Sequence, residues 1–128
     1  NEKVQAMGIS TYYHNHTEEF TPLKDGRNAM DIISDYCMLE IDTYWSFCAG
    51  IDNSKYLPEN KDKIVLIHIK DGVDRKPMAL GEGENDLKKV VEGVNAIGLD
   101  WVILENDEPV PTGLEDITRS FAWLKNNF

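Results

Sequence analysis

Four short apolar runs each lead into an imidazole or a carboxylate, and this repeated junction limits the chain more than any single motif does. The clearest run is Ile64–Ile69 (IVLIHI), apolar except for His68 near its end and followed by Lys70 and Asp71. A nearly continuous apolar run reads as a strand covered on both faces, as in a parallel sheet. The run over 9–13 leads into His14, Asn15, His16 and then Glu19. The run over 37–41 ends in Asp42, and the run over 101–104 (WVIL) ends in Glu105, then Asp107.

Helical patterns alternate with these runs. Ala29, Met30, Ile32 and Ile33 predict a short helix over 28–36; a helical turn is expected over 44–50, and a short helix over 53–57 stopped by Pro58. The strongest helix is 85–97, capped by Asn85 or Asp86, with Leu87, Val90, Val91, Val94 and Ile97 as its stripe and Gly98 ending it. The last helix, 114–128, carries Leu114, Ile117, Phe121 and Leu124 on one face. Residues 70–84 read as a long glycine-containing loop. The order β-α-β-α-β-α-β-α predicts an α/β fold with a parallel sheet. In such a sheet the C-terminal strand ends lie together, where barrel and open-sheet enzymes place their sites.

Taken singly, these residues have ordinary explanations. An Asp or Glu after a strand is usually a helix cap or a solvated loop residue, and His68 alone reads as a satisfied core histidine. Recurrence over four successive strands carries the functional reading. Carboxylates mixed with imidazoles suit one divalent metal ion, Mn²⁺, Zn²⁺, Mg²⁺ or Co²⁺. Such an ion polarises a carbonyl and stabilises an enediolate. Glu82 and Glu84, in GEGEN, read as a solvated turn or as a lid over the site; Tyr44, Trp45 and Phe47 read as core or as an apolar wall for a sugar ring. Gly81 and Gly83 form no phosphate-binding motif.

Charge narrows the partners. The 128 residues carry a formal net charge of −10, which argues against nucleic acid. No apolar run approaches the roughly 20 residues of a membrane helix. Cys37 and Cys48 lie in apolar surroundings without metal-type spacing; reduced core thiols and a cytoplasmic setting are expected. The chain opens at Asn1, and residues 1–7 read like the last turns of a helix capped by Gly8. A longer parent protein is therefore expected.

YYHNHTEEF resembles the YHNHxxEF signature of one subgroup of the sugar phosphate isomerase/epimerase family, the xylose isomerase-like barrels. EIDTYW with the following AG, then HIKDG, LGEGEND and VILENDEP, resemble that subgroup's later motifs in the expected order. Together they span nearly the whole chain. The resemblance implies the C-terminal half of a (β/α)₈ TIM barrel: residues 1–128 would be one partial domain holding the last four β/α units, with the N-terminal half missing.

It also implies a metal held by Glu19, Asp42, His68 and Glu105. His14 occupies the point where many relatives carry the first Glu, so the first ligand is Glu19 or His14. His16, Glu19 and Glu105 take catalytic roles, with His16 as the general acid/base. His14, Trp45, Lys70 and Glu82 face a small-molecule sugar or keto-sugar. The implied activity is isomerisation or epimerisation, by proton abstraction next to a carbonyl with a metal-stabilised enediolate. The alternatives are a dehydratase or lyase acting on a keto-sugar or inosose, an abasic-site endonuclease of the same fold, and an inactive fragment that only binds metal. An acidic charge and three histidines count against the endonuclease.

Half a barrel would expose two strand edges and an inner face partly lined by Ile9, Leu39, Val65, Ile67 and Val102 or Ile103. Two copies pairing as a homodimer that completes the half-barrel would relieve this.

Overall fold

The computed structural model describes residues 2–128, so the reading of Asn1 lies outside the described residues. Helix α1 (Glu2–Gln5) is followed by Gly8 at φ +74°, a left-handed position that glycine adopts without a Cβ clash. Then come β1 (Tyr12–His14), a 3₁₀ turn (Glu18–Phe20), α2 (Ala29–Ile33), β2 (Met38–Asp42), α3 (Thr43–Cys48), α4 (Asn53–Glu59) and β3 (Ile64–Ile69). An antiparallel hairpin, β4 (Asp71–Val73) and β5 (Lys76–Met78), precedes α5 (Leu87–Ile97), β6 (Ile103–Leu104) and α6 (Gly113–Asn127).

The main sheet runs β1-β2-β3-β6, every neighbouring pair parallel. Spatial order follows chain order without reversal. That is the winding of a barrel wall, whereas an open doubly wound sheet reverses at a switch point. Among the described residues β1 and β6 each have one partner in this sheet, so both outer edges are open. Helices begin where side chains replace the missing intrahelical partners of the first amides. Asn28 and Asp31 form a capping box on α2, Asp42 caps α3, Asp52 caps α4, Asp86 caps α5 and Thr112 caps α6.

One core lies between the outer face of the sheet and the helices. Leu39, Ile41, Ile67 and Ile69 are fully buried there with Leu57, Leu87, Val90 and Val94. This corrects the expected inner face at Ile9, Leu39, Ile67 and Val102, while Ile103, in register with His68, faces inward as expected. Leu39 and Ile67 point toward the helices, Val102 packs against the same cluster, and Ile9 is exposed and precedes β1. Registers Glu40↔Leu66, Asp42↔His68 and His68↔Ile103 put these residues on the opposite, inner face. Strand side chains alternate, so the residues next to Glu40, Asp42 and His68 must point outward.

Three further expectations shift. Helix α4 runs to Glu59, with Pro58 inside its last turn rather than stopping it at Leu57. The expected loop over 70–84 contains the hairpin, whose loop residues Asp74 and Arg75 both have positive φ, the backbone a tight two-residue hairpin turn needs. On α6 the apolar stripe points outward: Leu114, Ile117 and Phe121 are exposed, while Asp116 and Ser120 are buried. Cys37 and Cys48 are half-buried and not in a disulfide.

Candidate metal centre

Local pairing brings the strand ends into one place. Asn15, fully buried, spans from β1 to β2: its Oδ1 accepts from the Asp42 amide at 3.0 Å and its Nδ2 donates to the Asp42 carbonyl at 3.3 Å. Thr43 Oγ1 donates to the His68 carbonyl at 2.9 Å, tying β2 to β3. The Glu105 amide donates to the Ile69 carbonyl at 3.3 Å, tying β3 to the residue after β6. These clamps align His14, Asp42, His68 and Glu105.

One ligand atom from each of His14, Asp42, His68 and Glu105 lies within 4.8 Å of the others. The His14 and His68 rings meet edge-on with centroids 4.5 Å apart. Asp42 is the most constrained member. Its Oδ1 accepts from the Tyr44 and Trp45 amides at 2.9 and 3.0 Å, the cap of α3. Its Oδ2 is buried and accepts no hydrogen bond; His14 Nε2 lies 3.8 Å away and Lys70 Nζ 3.7 Å. Burial pushes the Asp42 carboxyl up to about 6, against the lowering pull of the α3 amides and Lys70. Burial, and next the neighbouring His68, push the His14 imidazole below its ordinary range. A low imidazole value keeps a nitrogen lone pair available.

Fit to a cation rests on these features. A buried carboxylate oxygen without a donor is costly on its own. Two imidazoles and two carboxylates make a mixed N/O donor set suited to borderline divalent ions such as Zn²⁺, Mn²⁺ or Co²⁺. The residues present fit such an ion.

Glu40, Asp107 and Lys70 surround this group. Glu40 Oε1 lies 2.8 Å from His68 Nε2, while Glu105 Oε2 is in close contact with His68 Nδ1. Lys70 is fully buried, bonded to Asp107, 3.4 Å from Glu105 Oε1 and 5.1 Å above the Trp45 ring. Burial pulls the Lys70 ammonium down, but Asp107, Asp42 and Glu105 outweigh it and hold it above its ordinary value. Lys70 in turn keeps the Asp107 carboxyl low.

Glu19 is outside the group of four. Its Oε1 accepts from the Tyr13 hydroxyl at 2.7 Å and its Oε2 from the His16 amide at 3.0 Å. Burial acts to raise its carboxyl, yet these bonds prevail and lower it. His16 is exposed at the rim, its ring 5.4 Å from His14 and 6.0 Å from Trp45. Glu82 pairs with Arg119 of α6 at 2.6 Å. The loop carrying Glu82 is tied down by buried Asp71, whose two oxygens accept from the amides of Gly72, Gly81, Gly83 and Asn85. Glu40 and Asn15 were not singled out for the site from the sequence. Strand alternation could have found Glu40, two positions before Asp42 and so on the same face. Asn15 is the asparagine of the YHNHxxEF signature, although the signature does not say that it clamps β1 to β2.

The profile for xylose isomerase-like TIM barrels matches residues 2–127. The chain belongs to that family. Among solved structures, a sugar phosphate isomerase/epimerase from Parabacteroides distasonis is similar at TM-score 0.76 and 23% identity, covering 97% of this chain and 49% of its own. A second sugar phosphate isomerase/epimerase from that organism gives 0.75 and 23%, covering 97% and 47%. An L-ribulose 3-epimerase gives 0.75 and 16%, covering 98% and 49%. No curated protein gives a significant match. The chain spans about half the length of these structures, and its parallel sheet corresponds to part of a TIM barrel. Among the described residues no helix is long and apolar enough to cross a membrane.

Proposed function

We propose that this chain supplies the metal-holding side of an isomerase or epimerase site acting on a sugar or keto-sugar. The observation that carries this reading is the group His14, Asp42, His68 and Glu105, with the undonated Asp42 Oδ2 inside it, at the C-terminal strand ends. These four would hold one divalent cation, with His14 as first ligand in place of Glu19. When bound, such a cation polarises a carbonyl and favours loss of the neighbouring proton.

The chain's own residues supply the rest. His16 at the rim takes the proton from the carbon next to the carbonyl and returns it, its backbone held by Glu19. Trp45 offers an apolar face to the C–H side of the ring. The Lys70 ammonium offsets the repulsion among Asp42, Glu105 and Asp107. The similar structures, a sugar phosphate isomerase/epimerase and an L-ribulose 3-epimerase, support this substrate class.

The test uses the full-length protein loaded with Mn²⁺ or Zn²⁺ and a panel of keto-sugars in D₂O. Deuterium should enter the carbon beside the carbonyl, and stop on chelation. His16→Ala should slow this exchange by roughly 10²–10⁴-fold while metal stays bound. Exchange that survives complete metal removal, or that His16→Ala leaves unchanged, rejects the assignment.

A further inference from the structure

His68 stands between two carboxylates that do different things. Glu105 contacts Nδ1 and belongs to the group of four; Glu40 lies 2.8 Å from Nε2 and does not. Glu40 is fixed by its strand. It sits on β2 two residues before Asp42, paired in register with Leu66, so it faces His68 across adjoining strands. The Glu40 side chain is only 17% exposed and His68 15%, which limits competition from water.

A neutral imidazole has one N–H and one lone pair. With two carboxylate neighbours it can donate to only one. If Nε2 donates to Glu40, the Nδ1 lone pair points at Glu105 oxygen. Two electron-rich atoms then face each other, and either a shared proton or a metal ion held by both resolves the conflict. The opposite tautomer would aim the lone pair at Glu40, which lies outside the group of four.

We propose that Glu40 is a positioning residue for His68: it holds Nε2–H, so that Nδ1 is the metal-binding nitrogen. Carboxylate partners of metal-binding histidines fix ring orientation in this way and raise ligand basicity. This deepens the metal reading above and rests on it.

The test uses the full chain labelled with ¹⁵N-histidine and titrated with ZnCl₂ alone. Long-range ¹H–¹⁵N correlations should show His68 with Nε2–H and with zinc on Nδ1. Glu40→Leu should weaken zinc binding by roughly 10- to 100-fold. Glu40→Gln, whose amide oxygen still accepts from Nε2–H, should lose less and keep the same tautomer. Circular dichroism and thermal melting establish that each variant is folded. Zinc on Nε2, or Glu40→Leu binding within twofold of wild type, overturns the proposal. If wild type binds no zinc, the metal reading fails, and the tautomer of the metal-free ring decides the role of Glu40. An Nε2–H form kept in wild type and Glu40→Gln but lost in Glu40→Leu upholds it. The same tautomer in all three overturns it.

Discussion

Ile67 and His68 are adjacent on β3 and meet different physics. Ile67 points out of the sheet into a core of Leu57, Val90 and their neighbours, where it is fully buried. His68 points inward, between Glu40 and Glu105 and beside His14. The outer face stabilises by removing apolar area from water, a force without direction. The inner face gathers charges at fixed distances, and it leaves Asp42 Oδ2 buried without a donor. One face therefore makes the fold, while the other depends on it and gathers buried charge that opposes it.

The widest separation should come from substituting these two neighbours. His68→Ala should weaken Zn²⁺ binding by at least about 100-fold, because it removes a ligand outright. Its metal-free melting should stay close to wild type. Ile67→Ala should cost about 2–5 kcal/mol of stability through lost burial and a cavity. Zinc affinity of the molecules that remain folded should stay within about threefold. Isothermal titration and urea unfolding of the pair measure both. If His68→Ala costs as much stability as Ile67→Ala, the two faces are not functionally distinct.

Asp42→Asn sharpens the comparison with a smaller effect. Asparagine keeps an oxygen for the Tyr44 and Trp45 amides, so the cap of α3 survives. It removes a buried negative charge. In the folded protein burial raises the Asp42 carboxyl to about 6, whereas an unfolded aspartate titrates near 4. A raised folded value means that ionised Asp42 opposes folding above about pH 6, and that this cost fades as pH falls toward 4. The metal-free variant should thus be about 1–3 kcal/mol more stable than wild type at pH 8, with the gain nearly gone at pH 4. In zinc the order should reverse, because only wild type keeps the ligand. Equal stability of the two proteins at pH 8 without metal would mean that Asp42 carries no such cost.

Much of this arrangement is legible in the sequence. Four apolar runs followed by ionisable residues located all four parallel strands, and the repeated junction placed Asp42, His68 and Glu105 at one end. What failed was parity. Apolar character alone suggests an inward Leu39 and Ile67, but a barrel wall sends both to the helices and reserves the site end of its inner face for Glu40, Asp42 and His68. The hairpin at 71–78 was missed because its strands are short and its turn residues, Asp74 and Arg75, hold positive φ without a glycine between them. Glu19 and Glu82 lay beyond reach for another reason. Glu19 turns back on its own motif, to the Tyr13 hydroxyl and the His16 amide, a local folding that the motif's letters do not spell out; the partner of Glu82, Arg119, comes from α6 by tertiary packing.

The smallest effect concerns α6, where periodicity and packing disagree. Leu114, Ile117 and Phe121 form a helical stripe yet stay exposed, while Trp123 and Leu124 pack against the core. An exposed residue contributes little to the stability of a single chain, usually within about 0.5 kcal/mol. Phe121→Ser should therefore change the unfolding free energy by no more than that. Leu124→Ala, half-buried, should cost about 1–2 kcal/mol, below the range for fully buried leucines. Urea unfolding at low protein concentration compares the two. A Phe121→Ser cost equal to that of Leu124→Ala would mean the stripe is covered in solution. Repeating the measurement over a hundredfold range of concentration then identifies the cover. A cost that grows with concentration assigns it to a second copy of the chain, since association stabilises by mass action. A cost that stays constant assigns it to packing within one chain, with α6 turned so that its stripe faces inward.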